Sequence, residues 1–185
     1  VDVEEQPSAH IRRRIEATVR VPLFVDSAEP GARLLRDGDG RVLAQGTAEV
    51  PFRVILPESV ASAPDGTPPA RLVQFGHGFF GDRTEIDGFI SELADERRLV
   101  VVAADWWGMS ASDRLILLGD VVDNIEQTLR FTDRVHQGMA NFMALAYAAR
   151  GPLVDLPELA VGPSPSYDPS RTYFYGISQG AILGG

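Results

Sequence analysis

The 185 residues carry a formal charge of -9 at a sequence pI near 4.8, with 44% hydrophobic and 23% charged side chains, which suits one globular domain and excludes disordered and fibrous classes. Every one of the 17 basic residues is an arginine, and an acidic chain with no basic face is a poor partner for phosphate backbones or anionic lipid, so no nucleic-acid partner is expected. Without cysteine there is no disulfide frame, thiol nucleophile or thiolate metal site, and the longest apolar run, Leu99 to Ala104, is strand length rather than the roughly 20 residues of a membrane span.

Residues 1–70 read as the antiparallel edge of a domain whose core follows in 71–185. Residues 15–25 alternate loosely through Thr18, Val19, Val21 and Val25, as a strand does. Residues 34–42 contain Arg36-Asp37-Gly38-Asp39-Gly40, a Gly/Asp turn expected to join two antiparallel strands. Residues 48–56 then place Val50, Phe52, Val54 and Leu56 on one face. The stretch 57–69, rich in Pro, Ala, Ser and Gly, reads as a loop with Asp65-Gly66 as its tightest turn.

From Arg71 the pattern changes to short apolar strands separated by helical spacing, the signature of a parallel sheet with crossover helices. Residues 72–75 form a strand and 85–98 an amphipathic helix with Ile86, Phe89, Ile90, Leu93 and Ala94 inward. The unbroken Val/Ala run Leu99 to Ala104 predicts a strand buried on both faces. Helical spacing continues through Val121, Ile125, Leu129, Val135, Met139, Phe142, Met143 and Ala146, with Asp120 as N-cap, a break expected near 130–133 and a stop at Gly151-Pro152. A proline-rich connection over 153–169 leads to a strand over 171–175.

That strand runs into Gly176-Ile177-Ser178-Gln179-Gly180, followed by the small and apolar Ala181, Ile182 and Leu183. A strand that turns sharply into a helix with serine at the apex lifts a hydroxyl out of the sheet, and the flanking glycines let the backbone fold that tightly. A serine becomes a nucleophile when a base reaches it. The alternative is a plain Gly/Ser turn at a strand-to-helix junction. A second glycine-rich stretch, Phe75-Gly76-His77-Gly78-Phe79-Phe80-Gly81, directly follows a strand. Glycines there let backbone N–H groups converge on one point, as acyl transfer requires for the negative oxygen of its tetrahedral intermediate. Gln179, after the serine, and Phe79, in the second loop, are the expected donors; an anion-binding nest or simple turn is the blander reading of that loop.

These landmarks resemble the α/β-hydrolase fold, its lipase and esterase branches in particular. His77-Gly78 with Phe79 is similar to the family's oxyanion loop, Asp105-Trp106-Trp107-Gly108-Met109-Ser110 to its Asp-x-x-Gly-x-Ser turn, and Gly176 to Gly180 to its nucleophile elbow, in the family's order. The resemblance covers about 71–185. It implies an α/β fold: a mostly parallel sheet with helices on both faces and an antiparallel N-terminal edge, ending just after the elbow. It also implies that His77, with Gly78, supports its own loop through hydrogen bonds.

The family places its triad acid and histidine after the elbow. Here His10, His77 and His136 all precede it, and only a second helical turn's worth of chain follows Ser178. The chain is therefore expected to be the first part of a longer hydrolase, the remainder being absent, disordered or a second polypeptide. A start at Val1 rather than Met fits loss of an N-terminal segment and a secreted or periplasmic location, and arginine without lysine fits a GC-rich bacterial genome. His136 is expected on a helix surface and His10 carries no signal. Asp105 is expected to hydrogen-bond within its turn rather than serve as a triad acid. Asp37 and Asp39 are expected to be turn residues rather than calcium ligands. Trp106 and Trp107 fit an acyl pocket or core packing equally. The expected activity is hydrolysis of carboxylic esters, small-molecule or lipid, through an acyl-enzyme on Ser178, with no metal or organic cofactor. A peptidase or acyltransferase on the same scaffold, or a non-catalytic binding module, are the alternatives.

Overall fold

The computed structural model describes residues 1–123 and 125–185, apart from the side chains of Val121, Thr128 and Leu129. Among the described residues six strands form one sheet in the order β1-β2-β3-β5-β4-β8: β1 Asp2–Ser8, β2 Ile11–Pro22, β3 Thr47–Pro57, β4 Ala70–Gly76, β5 Leu99–Ala104 and β8 Tyr167–Gly176. The sheet is mixed. β1 to β2, β2 to β3 and β3 to β5 are antiparallel, whereas β5 to β4 and β4 to β8 are parallel, with Val54 opposite Val102 and Val73 opposite Val101. One sheet thus runs through both sequence regions, joined where β3 pairs with β5.

The period of two in the strands sorts side chains into two apolar layers. Val50, Phe52, Val54, Leu56, Leu72, Val100, Val102 and Ala104 face α4 Leu129–Ala149, meeting Phe142, Leu145 and Ala149. Ile55, Phe75, Val101 and Ala103 face the other way, onto Ile90 and Ala94 of α2 Phe89–Arg97. Helices therefore cover both faces. The remaining elements are short: α1 Glu58–Ala61, α3 Arg114–Asp123, a two-stranded pair β6 Ala160–Val161 and β7 Ser164–Pro165, and α5 Gln179–Gly184.

Several elements differ from the sequence pattern. β1 was not anticipated, because its acidic and polar residues show no alternation; it is held to β2 by cross-strand pairs such as Glu4 with Arg14 and Glu5 with Arg13. The expected strand pair around 34–42 shrinks to isolated bridges, Val25 with Leu34 and Arg36 with Val42. Asp37 Oδ1 accepts the N–H groups of Asp39 and Arg41, each at 2.9 Å, and so competes with a ladder. The expected helix over 85–98 is a 3-10 turn, Arg83–Asp87, followed by α2 after Gly88; that interruption resets the helical phase and leaves Phe89 57% exposed.

The long helical stretch breaks before, not within, 130–133: α3 ends at Asp123, a 3-10 turn covers Ile125–Thr128, and α4 runs unbroken from Leu129. Asp120 is thus inside α3 rather than at an N-cap. Of the expected inward positions, Val121 and Leu129 lie outside the described side chains, Ile125 is exposed on the 3-10 turn, and Met139 and Met143 are exposed along a groove shared with Phe142, Phe174 and Leu183. β8 begins at Tyr167, earlier than the expected 171, and the Tyr167 hydroxyl donates to the Ala149 carbonyl at 2.7 Å beneath the end of α4.

Candidate active site

β8 is the last strand of the sheet, and its final residue Gly176 lies beside Gly76 of β4. The chain reverses at once. Ile177 N–H donates to the Gly76 carbonyl at 3.1 Å, and Ser178, at φ 53° and ψ -123°, starts α5. A side chain with a Cβ in that region stores about 1–3 kcal/mol of strain, and such strain gathers at functional positions. The Ser178 side chain is exposed and bonds to no described residue.

The turn closes because glycine stands where α5 meets the end of β4. A Cβ on Gly180 would lie 2.3 Å from the Gly76 carbonyl oxygen and 2.5 Å from that of His77. Both are backbone atoms with little room to retreat. Gly180→Ala is expected to cost about 1–3 kcal/mol by overpacking. It is also expected to slow reaction at Ser178 although that residue is untouched, which urea melts and the labelling rate at Ser178 measure together.

The second loop leaves β4 at Gly76. His77 is fully buried: its Nε2 accepts the Trp106 N–H at 2.7 Å and its Nδ1 lies 2.7 Å from the Gly78 carbonyl. An acceptor at Nε2 puts the proton on Nδ1, so the ring is neutral and ties the loop to the end of β5. Both nitrogens are occupied, and His77 is not free to act as a base. Gly78 lies against the elbow, the position of its missing Cβ being 3.8 Å from Ser178 Cβ.

The loop's amides can be accounted for one by one. Gly78 N–H donates to Glu85 Oε2 at 3.4 Å, Phe80 N–H to the Met109 carbonyl at 2.8 Å, and Gly81 N–H to the Gly78 carbonyl at 3.0 Å. Phe79 N–H has no acceptor among the described residues, and neither does Gln179 N–H after the serine. Phe80 sits at φ 61°, a strained value for an aromatic residue, held by the Met109 bond and by its ring 4.0 Å from that of Phe79. An exposed hydroxyl at the end of one strand and an unpartnered amide in the loop after the neighbouring strand are groups that acyl transfer can use, the amide for negative charge on a carbonyl oxygen.

The turn after β5 braces this loop. Asp105 accepts the Arg83 N–H and guanidinium, each at 2.8 Å, and Arg83 also pairs with Glu16 of β2. Glu16 in turn pairs with Arg53, which reaches Asp87, whose carboxyl is pushed up by burial despite Arg53 and Arg14 beside it. At the start of the 3-10 turn, burial works against the charge of Asp82, but the hydroxyl and N–H of Thr84 outweigh it and hold the carboxyl below its ordinary range. Asp113 Oδ2 accepts from the N–H groups of Gly108 and Ser110 and from the Ser110 hydroxyl, while its Oδ1 meets Arg134 Nε at 2.5 Å. Trp106 stacks on Phe142 with ring centroids 3.4 Å apart, and Trp107 lies under the Arg134 guanidinium. Both indoles are buried in packing.

The structure thus brings Ser178, Gln179, His77, Gly78 and Phe79 to the carboxyl ends of β4 and β8. It does not bring His10 or His136 there: His10 pairs with Asp95 and His136 bonds its own helix at the Thr132 carbonyl. Among the described residues no imidazole or carboxylate is hydrogen-bonded to Ser178, and no group of three His, Asp or Glu is placed to hold a metal. Glu85, Arg83, Asp113 and Arg134 were missed from the sequence. Only Asp113, three residues after Ser110, carries a local signal, the spacing of a serine and an acid about a turn start.

No family model and no curated protein matches the chain. Solved structures do. A protein of Bacteroides fragilis NCTC 9343 assigned as an acetyl xylan esterase is 12% identical with a TM-score of 0.52, over 99% of this chain and 42% of that one. A cold-adapted esterase from an Arctic intertidal metagenomic library is 19% identical with a TM-score of 0.46, over 99% of this chain and 56% of that one. The chain therefore spans about half the length of these two structures. It has the α/β-hydrolase fold, with a mixed six-stranded sheet among its described residues.

Proposed function

We propose that the protein is a serine hydrolase acting on carboxylic esters. Ser178 Oγ attacks the ester carbonyl as a base takes its proton, the amides of Phe79 and Gln179 hold the resulting oxyanion, and collapse expels the alcohol. Water then adds to the acyl group on Ser178, and the acid leaves as the serine hydroxyl is restored. His77 and Gly78 hold the loop that carries the Phe79 amide. The observation that carries this reading is an exposed, strained serine at a strand end, with the glycine loop of the neighbouring strand close by and the amides of Gln179 and Phe79 without acceptors among the described residues.

The base lies outside the described arrangement. In this reading it belongs to polypeptide that adds to the sheet beside β8, whose Tyr173 and Tyr175 are exposed and whose far edge is unpaired among the described residues. The substrate is a small-molecule or lipid ester, and no metal or organic cofactor takes part. Fluorophosphonate labelling followed by peptide mapping tests the assignment. A phosphonylated Ser178, together with turnover of simple aryl esters, is the expected result. Modification elsewhere, or none in a complete protein that is folded, sinks it and leaves a binding module with a hydrolase-like fold.

A further inference from the structure

Glu85 stands in the first turn after the Asp82 cap, and its side chain points back into the loop instead of out to solvent. One carboxylate oxygen accepts the Gly78 N–H at 3.4 Å. The other fills the space beside Gly81, where a Cβ would lie only 1.8 Å from Oε1. The carboxylate is therefore wedged inside the 78–81 turn, and that turn has a glycine at each point of contact. A Cβ at Gly81 would therefore displace the Glu85 carboxylate from the turn.

The wedge decides which amide of the turn stays free. Of the four N–H groups in the turn, three are claimed, by Glu85, Met109 and Gly78, and the fourth is that of Phe79. The Met109 bond fixes the Phe80 end of the turn and the Glu85 bond fixes the Gly78 end. The peptide between Gly78 and Phe79 is held from both sides, and its N–H is the one left without an acceptor among the described residues. Without Glu85, the Gly78 amide would have no partner, and the loop could rotate to satisfy it at the expense of the Phe79 direction.

We propose that Glu85 is a positioning residue: by taking the Gly78 N–H and filling the turn, it selects the Phe79 amide as the donor to the developing oxyanion. This rests on the hydrolase reading above. Its action is through hydrogen-bond acceptance rather than charge, so Gln and Asp at this position should separate. Glu85→Gln keeps an acceptor at the same reach. Glu85→Asp keeps the charge but is one methylene too short for the Gly78 amide.

The test compares wild type, Glu85→Gln, Glu85→Asp and Glu85→Ala in the complete protein, measuring kcat and KM on an aryl ester, phosphonylation rate at Ser178, and thermal midpoint. A donor displaced by about 1 Å costs on the order of a hundredfold in rate. The Ala and Asp variants are expected to lose kcat and labelling rate by about that factor with KM little changed, and Gln to stay within a few-fold of wild type. A stability loss with unchanged kcat per folded molecule overturns the proposal, as does a Gln variant as slow as Ala. A wild type that fails to react at Ser178 overturns the hydrolase reading itself, and this inference with it. A reactive wild type matched by its Ala variant overturns the role of Glu85 alone.

Discussion

Ser178→Gly is expected to make the protein more stable and to stop its chemistry. Ser178 sits at φ 53° and ψ -123°, where a Cβ is unfavourable and glycine is at ease. Its side chain is exposed and makes no hydrogen bond to a described residue, so removing it sacrifices no packing. Relief of about 1–3 kcal/mol of strain, less the ~0.5–1 kcal/mol entropic cost of an added glycine, leaves a net gain of about 1 kcal/mol. For a domain of this size that is roughly 2–4 °C in thermal midpoint. Ser178→Ala keeps the Cβ and should melt within about 0.5 kcal/mol of wild type. Both variants remove the nucleophile, and ester turnover should fall by about 10⁶-fold. Calorimetry and stopped assays on the three proteins decide it. A glycine variant that melts lower than wild type would mean the elbow stores no strain, and residual turnover within tenfold of wild type would dismiss Ser178 as nucleophile.

The features legible in the sequence were those written in glycine and in period two. Gly76, Gly176 and Gly180 each stand where a Cβ would meet another chain segment at 3.0 Å or less, so their spacing announced the tight junction of β4, β8 and α5. Leu99–Ala104 announced a strand covered on both faces, because an alternating pattern would have wasted one of them. What escaped was non-local. β1 has no apolar face and exists through arginines on the next strand. The partner of Asp113 is a residue of α4, and nothing near either one predicts the meeting. Nothing in the pattern marked Glu85, the first residue of the expected helix over 85–98, and only the backward turn of its side chain makes it part of the loop. Met139 and Met143 keep helical spacing but stay exposed along their groove, because spacing reports a face and not what covers it.

The Asp113 and Arg134 pair supplies the largest expected stability effect and a directional one. Their side chains are 5% and 4% exposed. Breaking a buried pair by removing one member costs about 3–5 kcal/mol, since the survivor is left charged and desolvated. The two members are not equivalent here. Asp113 has three donors besides Arg134, from Gly108, Ser110 and the Ser110 hydroxyl, so its carboxylate remains satisfied when the guanidinium goes. Among the described residues Arg134 keeps only the carbonyls of Ala28 and Glu29 and the face of Trp107 when the carboxylate goes, and two backbone N–H groups lose their acceptor as well. Asp113→Ala should therefore lie at the upper end of that range and Arg134→Met at or below its lower end, the methionine refilling space over Trp107. The damage should reach the site. Met109 and Ala111 of the same turn hold Phe80 and Gly81 through backbone bonds of 2.8 and 2.9 Å, so a turn loosened by Asp113→Ala also releases the loop that carries the Phe79 amide. Labelling at Ser178 should then fall further than the folded fraction accounts for, whereas Arg134→Met should label in proportion to its folded population. Urea melts paired with labelling rates measure both, and an Arg134→Met loss larger than that of Asp113→Ala would overturn the asymmetry and the bracing role drawn from it.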